Sequence, residues 1–340
     1  GTKAMAQYKA AMQRIANEKG EGEGVLPKDE SLAVLSPGVP MLFRGPHVAT
    51  YAQNALYTLP VVWCILFLLN MDRASTLELW FMPFIGILAA CLANSVPVGG
   101  GIVFVPALIL LGAKVKLGVA FTVATMTFGN GVFGFLNWLR KDPEVFVWGS
   151  FKYTVPSAWF GAVIGTFHPL LSESHCKLLF ALFSSGVAVL VLRAARNGGK
   201  IEPLAAAAAG RPEEELLAEP ATRLKLAAVG FSAGLVLVAN IGIGNAMATF
   251  LSLTLVLGVE TRRAIVTGIV AGGWTSLVPF LLHLMALGDV PVARWLMVLP
   301  GVFLGARLAP HVHARLGLER VLWAFGAFLL ATAGLMYATS

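Results

Sequence analysis

The sequence predicts an all-α polytopic membrane protein: two inverted repeats, each with a broken or re-entrant helix, plus one extra N-terminal transmembrane helix. Three observations carry this. First, the 340 residues are 57% hydrophobic and only 13% charged, with a mean hydropathy of +0.77. Apolar runs long enough to cross a bilayer recur along most of the chain, a composition no ordinary soluble domain has. Second, two apolar runs, Trp80–Leu111 and Leu224–Leu257, are longer than the roughly 20 residues of a straight span, and both are interrupted near the middle. Third, the interruptions superpose at a fixed offset: 146 residues places Ala93-Asn94 on Ala239-Asn240 and Leu111-Gly112 on Leu257-Gly258. Duplicated broken segments point to a transporter built from internal repeats.

In chain order, residues 1–50 form a non-spanning arm. Met5, Tyr8, Met12 and Ile15 recur at helical spacing, a short amphipathic helix able to lie on the membrane or dock on the protein. Gly20–Gly24 and Pro27, Pro37 and Pro40 read as a flexible connector. Residues 51–79 hold the extra transmembrane helix. Repeat one occupies 80–193, with the broken segment followed by spans over Leu117–Leu139, Phe146–Leu171 and Cys176–Leu192. Residues 194–223 are a polar cytoplasmic linker with a short helix. Repeat two occupies 224–340, with its broken segment followed by Ala264–Leu287, Trp295–His313 and Val321–Ala338.

Charge decides how the broken segments cross. If each traverses the bilayer, loop Lys and Arg divide almost evenly between the two sides. If each enters and leaves on one side, 18 of the 25 Lys and Arg fall on the side of the N-terminus. Cytoplasmic loops carry such an excess, so the second arrangement is preferred, with the N-terminus cytoplasmic and the protein in the plasma (inner) membrane. Three full crossings per repeat, an odd number, then make the two repeats inverted.

The breaks are the candidate binding site. Pro97 and Gly99–Gly101 weaken the helix in repeat one, as Gly242 and Gly244 do in repeat two. The half-helix that starts at each break has unpaired amides and the positive end of its dipole. Two such ends aimed at one place favour an anion. The predicted substrate-binding residues are Asn94, Ser95, Gly99, Gly100 and Gly101 from the first break, and Asn240, Gly242, Gly244 and Asn245 from the second. Asn130 and its 146-residue counterpart Ser276, in the following spans, join them.

All 18 acidic residues fall in loops, tails or segment ends, which argues against a carboxylate relay. Lys152 and Arg307 read as snorkelling cations, and His168 and His283 as interfacial histidines, with a proton-linked gate as the alternative for these. Cys64, Cys91 and Cys176 have neither disulfide nor metal spacing and read as buried small residues. No metal and no cofactor is expected. His-Glu-x-x-His, a phosphate-binding loop and an intramembrane aspartate pair are all missing from the sequence, so the chain is read as a non-enzyme.

At these residues the sequence resembles the TauE/SafE family of membrane permeases, the sulfite exporter family. The resemblance rests on Val98-Gly99-Gly100-Gly101-Ile102-Val103-Phe104-Val105-Pro106-Ala107-Leu108, then Leu111-Gly112, Ala124-Thr125 and Gly129-Asn130. The second copy, Gly242-Ile243-Gly244-Asn245 with Leu257-Gly258, supports it, and the whole covers residues 80–338. Repeat two departs in having Gly-Ile-Gly-Asn where the family commonly shows a fuller glycine run, and Ser252 where repeat one has Pro106. The resemblance implies movement, as an exporter, of sulfite, organosulfonates, sulfoacetate or related sulfur-containing anions. The expected partners are a small sulfur-containing anion and the lipid bilayer, with a homodimer left open and no nucleic acid. A passive anion channel and a cation-coupled importer of the same ligands are the alternatives.

Overall fold

The computed structural model describes residues 39–43, 47–93, 99–198 and 213–340. The amphipathic stretch from Met5 to Ile15, the glycine connector, Asn94 and Ser95, and residues 199–212 lie outside the described residues.

Every element among the described residues is helical: α1 (His47–Asn70), α2 (Arg73–Glu78), α3 (Met82–Ala93), α4 (Gly101–Leu110), α5 (Val115–Lys141), α6 (Trp148–Phe167), α7 (Glu173–Arg196), α8 (Glu213–Ala218), α9 (Pro220–Ile241), α10 (Asn245–Val256), α11 (Thr261–Leu287), α12 (Val292–Leu316) and α13 (Leu318–Ala338). Seven of them are long and apolar enough to cross a membrane: α1, α5, α7, α9, α11, α12 up to Ala309, and α13. The predicted span over Phe146–Leu171 becomes α6, which is not among the seven, while α9, the first limb of the second broken segment, is.

Both breaks fall where the glycines predict. The first shows at Gly99, just ahead of α4, where φ is a left-handed +80°. The second lies between Ile241 and Asn245, with φ of +70° at Gly242 and +110° at Gly244. Only glycine adopts such angles at little cost. Gly112 and Gly258, also related by 146 residues, end α4 and α10 with φ of +79° and +65°.

Close contacts fix the direction of each limb. α3 runs with α12: a Cβ added at Gly86 would lie 2.5 Å from the Val298 carbonyl, and one at Gly305 2.5 Å from that of Ile87. α12 in turn runs with α5, since Trp295 packs on Phe128 and Phe303 stacks on Phe133 at 4.8 Å. α4 runs against α5, with Gly118 facing Val105 and Phe121 facing Phe104. The limbs α3 and α4 therefore oppose each other, and the first broken segment is a hairpin with its tip at the break. The second obeys the same logic. α9 runs with α6, where a Cβ at Gly230 would lie 2.5 Å from the Thr154 carbonyl and one at Gly165 2.6 Å from that of Leu235. α6 runs with α11, held by Val147 N–H to Thr267 Oγ1 (2.9 Å) and Trp159 Nε1 to the Trp274 carbonyl (2.9 Å). α10 runs against α11, with Gly272 on Ala246 and Gly268 on Phe250.

Corresponding helices of the two halves meet in the centre and run antiparallel. α5 crosses α11 so closely that a Cβ on Gly131 would lie 2.9 Å from the Gly273 carbonyl carbon. α7 lies against α13, where Lys177 near one N-terminus donates to the Thr339 carbonyl beyond the other C-terminus at 2.7 Å. Small residues permit this approach, which in a bilayer supplies the packing energy that water would otherwise drive.

Two parts of the periphery differ from expectation. α1 exposes Tyr57, Val61, Ile65 and Leu69 to its surroundings, and Cys64 on it is exposed, not buried, because the helix flanks the bundle instead of entering it. The end of the proline-rich connector is docked: Val39 is buried, and Phe43 stacks on Trp148 at 4.9 Å and edge-on to Phe135 at 5.6 Å. Those rings satisfy an apolar residue that a free linker would leave in water.

Candidate functional site

The two hairpin tips touch. A Cβ on Gly101 would collide with Ile243 and Thr122 and lie 3.4 Å from the Gly242 carbonyl oxygen. Gly242 in turn packs on α5, where an added Cβ would meet Val119 Cα and Thr122 Cβ, each at 3.2 Å. Gly101 leaves room for the Ile243 and Thr122 side chains, and Gly242 for the α5 backbone at Val119.

Beside this contact, on the first hairpin's side, is a small, half-open cleft lined by Ala90, Ala93, Gly100, Phe104, Thr125, Met126, Gly129, Asn130 and Val302. Four elements meet there: both limbs of the hairpin, α5 and α12. Gly100 precedes the first intrahelical bonds of α4, donated by Val103 and Phe104 to the Gly100 carbonyl at 3.0 and 3.1 Å. The amides of Gly101 and Ile102 come before those bonds and have no partner within the helix. Thr125 donates to the Phe121 carbonyl at 2.8 Å. Asn130 is 6% exposed and its side-chain Nδ2 has no partner. It sits in a stretch of α5, Thr127–Gly134, that winds as a π-helix. Such wider turns recur at functional sites because they rotate side chains out of helical register. A buried amide donor without an acceptor costs about 1–3 kcal/mol, and an anionic oxygen would relieve that cost. Among the described residues no acidic or basic side chain lines the cleft.

The second tip is finished differently. Asn240 donates to the carbonyls of Leu235 and Val236, both at 3.0 Å, within its own helix. Asn245 donates to Thr275 Oγ1 at 3.1 Å, and Ser276 donates to the Gly272 carbonyl at 2.8 Å. The unpartnered atoms here are the acceptors Asn240 Oδ1 and Asn245 Oδ1. Gly244 closes on the Leu237 side chain.

Of the predicted site residues, Gly100 and Asn130 line one cleft, Gly99 packs on its Met126 wall, and Gly101 and Gly242 form the tip-to-tip contact. Asn240, Gly244, Asn245 and Ser276 are close-packed or hydrogen-bonded away from the cleft. Asn94 and Ser95 are outside the described residues. Ala90 and Val302 were not foreseen; Val302 comes from a helix 200 residues further on, and no local signal in the sequence marks it. Lys152 and Arg307 are exposed on the bundle surface. Among the described residues no three His, Cys, Asp or Glu side chains cluster as metal ligands.

A family model described as sulfite exporter TauE/SafE matches residues 82–336. No curated protein and no solved structure matches the chain.

Proposed function

The chain belongs to the sulfite exporter TauE/SafE family, and on that premise we propose that it carries small sulfur-containing anions out across a membrane by alternating access. The anion is held at the first hairpin tip, between the Asn130 amide and the first amides of α4. The observation that carries this reading is the unpartnered, buried Nδ2 of Asn130 in the cleft beside the first hairpin tip. Donors without acceptors in a site free of carboxylates favour a negative ligand. Phe104, Met126 and Val302 supply an apolar wall that suits an organic sulfonate as well as a bare oxyanion.

The antiparallel pairing of α5 with α11 and of α7 with α13 supports inverted repeats, because helices related by an axis in the membrane plane run in opposite directions. The two opposed hairpins support the crossing count drawn from the loop cations, which places the N-terminus and α8 in the cytoplasm and the protein in the inner membrane. A membrane potential negative inside then favours anion exit by about 2.3 kcal/mol per charge per 100 mV, without a second ion. Ion pairs close the α5–α11 pair at both ends, Lys116–Asp289 at 3.1 Å and Arg262–Asp142 at 3.2 Å. This supports an occluded arrangement and favours a carrier over an open channel.

A thermal-shift screen of the purified protein against sulfite, sulfate, sulfoacetate, taurine and thiol-bearing sulfonates tests the reading. Stabilisation by at least one of these anions, lost in Asn130→Leu, is expected. Stabilisation by a neutral or cationic compound while every anion fails overturns it. In liposomes, saturating flux with trans-stimulation is expected; flux that stays linear with concentration makes the protein a channel.

A further inference from the structure

Four tryptophans that are wholly or partly buried spend the indole N–H on a backbone carbonyl. Trp63 donates to Leu296 at 2.7 Å, Trp148 to Pro143 at 3.0 Å, Trp159 to Trp274 at 2.9 Å and Trp274 to Gly131 at 2.9 Å. Trp295 is buried more deeply than any of these, at 6% exposure, yet its Nε1 has no partner. A buried N–H without an acceptor is the feature that also marks Asn130, and the fold relates the two.

α12 runs with α5, and Asp289, just ahead of α12, pairs with Lys116 at the start of α5. Along α12, Trp295 precedes Val302, a wall of the cleft, by two helical turns, so both lie on one face. On α5 its ring neighbour Phe128 precedes the cleft residues Gly129 and Asn130. Trp295 therefore lies between the cleft and the Lys116 end. Three rings meet there, one each from α5, α11 and α12. The Trp295 centroid is 5.2 Å from that of Phe128 and 5.6 Å from that of Phe280, and Phe128 meets Phe280 edge-on at 5.7 Å. Rings in mutual contact close the way from the cleft towards that end, and the indole meets a passing solute only when they part. An indole N–H donates and cannot accept, and its bond to an ionised acceptor is about twice as strong as to a neutral one. A single donor set among apolar rings holds an anion weakly, which suits a step on a path better than a resting place. At the opposite end the aromatic cluster around Phe135 has the indoles of Trp148 and Trp274 satisfied, so the unspent donor distinguishes the Lys116 side.

We propose that Trp295 is a second anion-binding residue of the transporter. With Phe128 and Phe280 it forms the gate on the Lys116 side of the cleft, and when the rings part its N–H receives the departing anion, sulfite or an organic sulfonate, from Asn130. The inference rests on the transport reading for the direction of traffic, but its first test needs no transported anion.

Phe280→Cys, in a chain whose Cys64, Cys91 and Cys176 are replaced by alanine, puts a thiol at the gate. Its labelling is compared between two methanethiosulfonate reagents of similar size, one ending in a sulfonate and one in a trimethylammonium. Each rate is divided by that for a free thiol in the same buffer. Because the label accumulates, it reports a gate that opens only part of the time. A normalised preference for the sulfonate reagent of at least ~10-fold, the worth of one charge-assisted bond, is expected. It should disappear in Trp295→Phe, which keeps a ring and loses the donor. No labelling, no preference for the sulfonate, or a preference that survives Trp295→Phe overturns the proposal. Trp295→Phe in the otherwise unaltered protein should bind sulfite in a thermal-shift titration within about twofold of the wild type, while sulfite flux in liposomes falls at least ~10-fold. Unchanged flux, or affinity and flux falling together, overturns it too. If Trp295→Phe does not fold, the preference measured on Phe280→Cys alone decides; if Phe280→Cys does not fold, Phe128→Cys carries the thiol. A gate that selects the sulfonate reagent in a protein that moves no sulfur anion defeats the transport reading and keeps the anion-binding residue. Sulfite transport indifferent to Trp295 does the opposite.

Discussion

The two hairpin tips share a backbone plan and differ in how their polar groups are used. At the first, the Asn130 side-chain donor is left without a partner and a cleft stands open beside Gly100. At the second, the Asn240 and Asn245 donors are consumed by Val236, Leu235 and Thr275, and Ile243 fills the space against Gly101. A duplicated element thus differs in its polar accounting: one copy stands beside an unpartnered side-chain donor, and the other has its asparagine donors satisfied within its own half. Residue type alone does not show this, since asparagine and glycine mark both breaks.

The comparison can be broken most severely where both hairpins depend on the same crossing. Gly273→Val drives a side chain into the backbone of α5 at Gly131. Loss of more than ~4 kcal/mol, at the diagnostic end of single substitutions, should appear as failure to recover monodisperse protein; a stable variant would mean the α5–α11 crossing is looser than described. The sharpest contrast is Asn130→Leu against Asn245→Leu. The first removes an unsatisfied donor, so melting temperature should hold or rise while anion affinity falls by about tenfold or more, the worth of one charge-assisted bond. The second removes the bond that Asn245 donates to Thr275, whose hydroxyl keeps its own bond to the Gly272 carbonyl, and should cost about 0.5–1.5 kcal/mol in stability with a smaller effect on affinity. Equal behaviour of the two variants would erase the distinction between the tips.

Next in size is the contact between the tips. Gly101→Val should cost about 1–3 kcal/mol through overpacking, and Ile243→Ala in the same chain should return part of it, measured as a double-mutant cycle in thermal unfolding. Additive losses would separate the tips. The smallest effect is expected at the paired caps. Gly112→Ala and Gly258→Ala each place a Cβ on a left-handed residue, at about 1–2 kcal/mol. Gly112 has open space around it, so backbone strain alone is measured there. A neutral result at one cap and not the other would show that the repeats diverge even at their ends.

The sequence by itself determined the helical fold, the glycines that mark both breaks and the pairing of Gly112 with Gly258. These follow from apolar run length, from the backbone freedom of glycine, and from a repeat offset that survives in the letters. The cation count leads to the expectation of segments that turn back on themselves, because charge asymmetry is a property of loops. Tertiary structure alone decided which tip is open. Val302 and Ala90 reach the cleft from separate elements, Ile243 meets Gly101 across more than a hundred residues, and His283 finds Asp289 and Lys116 only when α5 and α11 lie side by side. Periodicity and chain breaks are local and can be read along the chain. Which donor is satisfied depends on neighbours that only packing brings together.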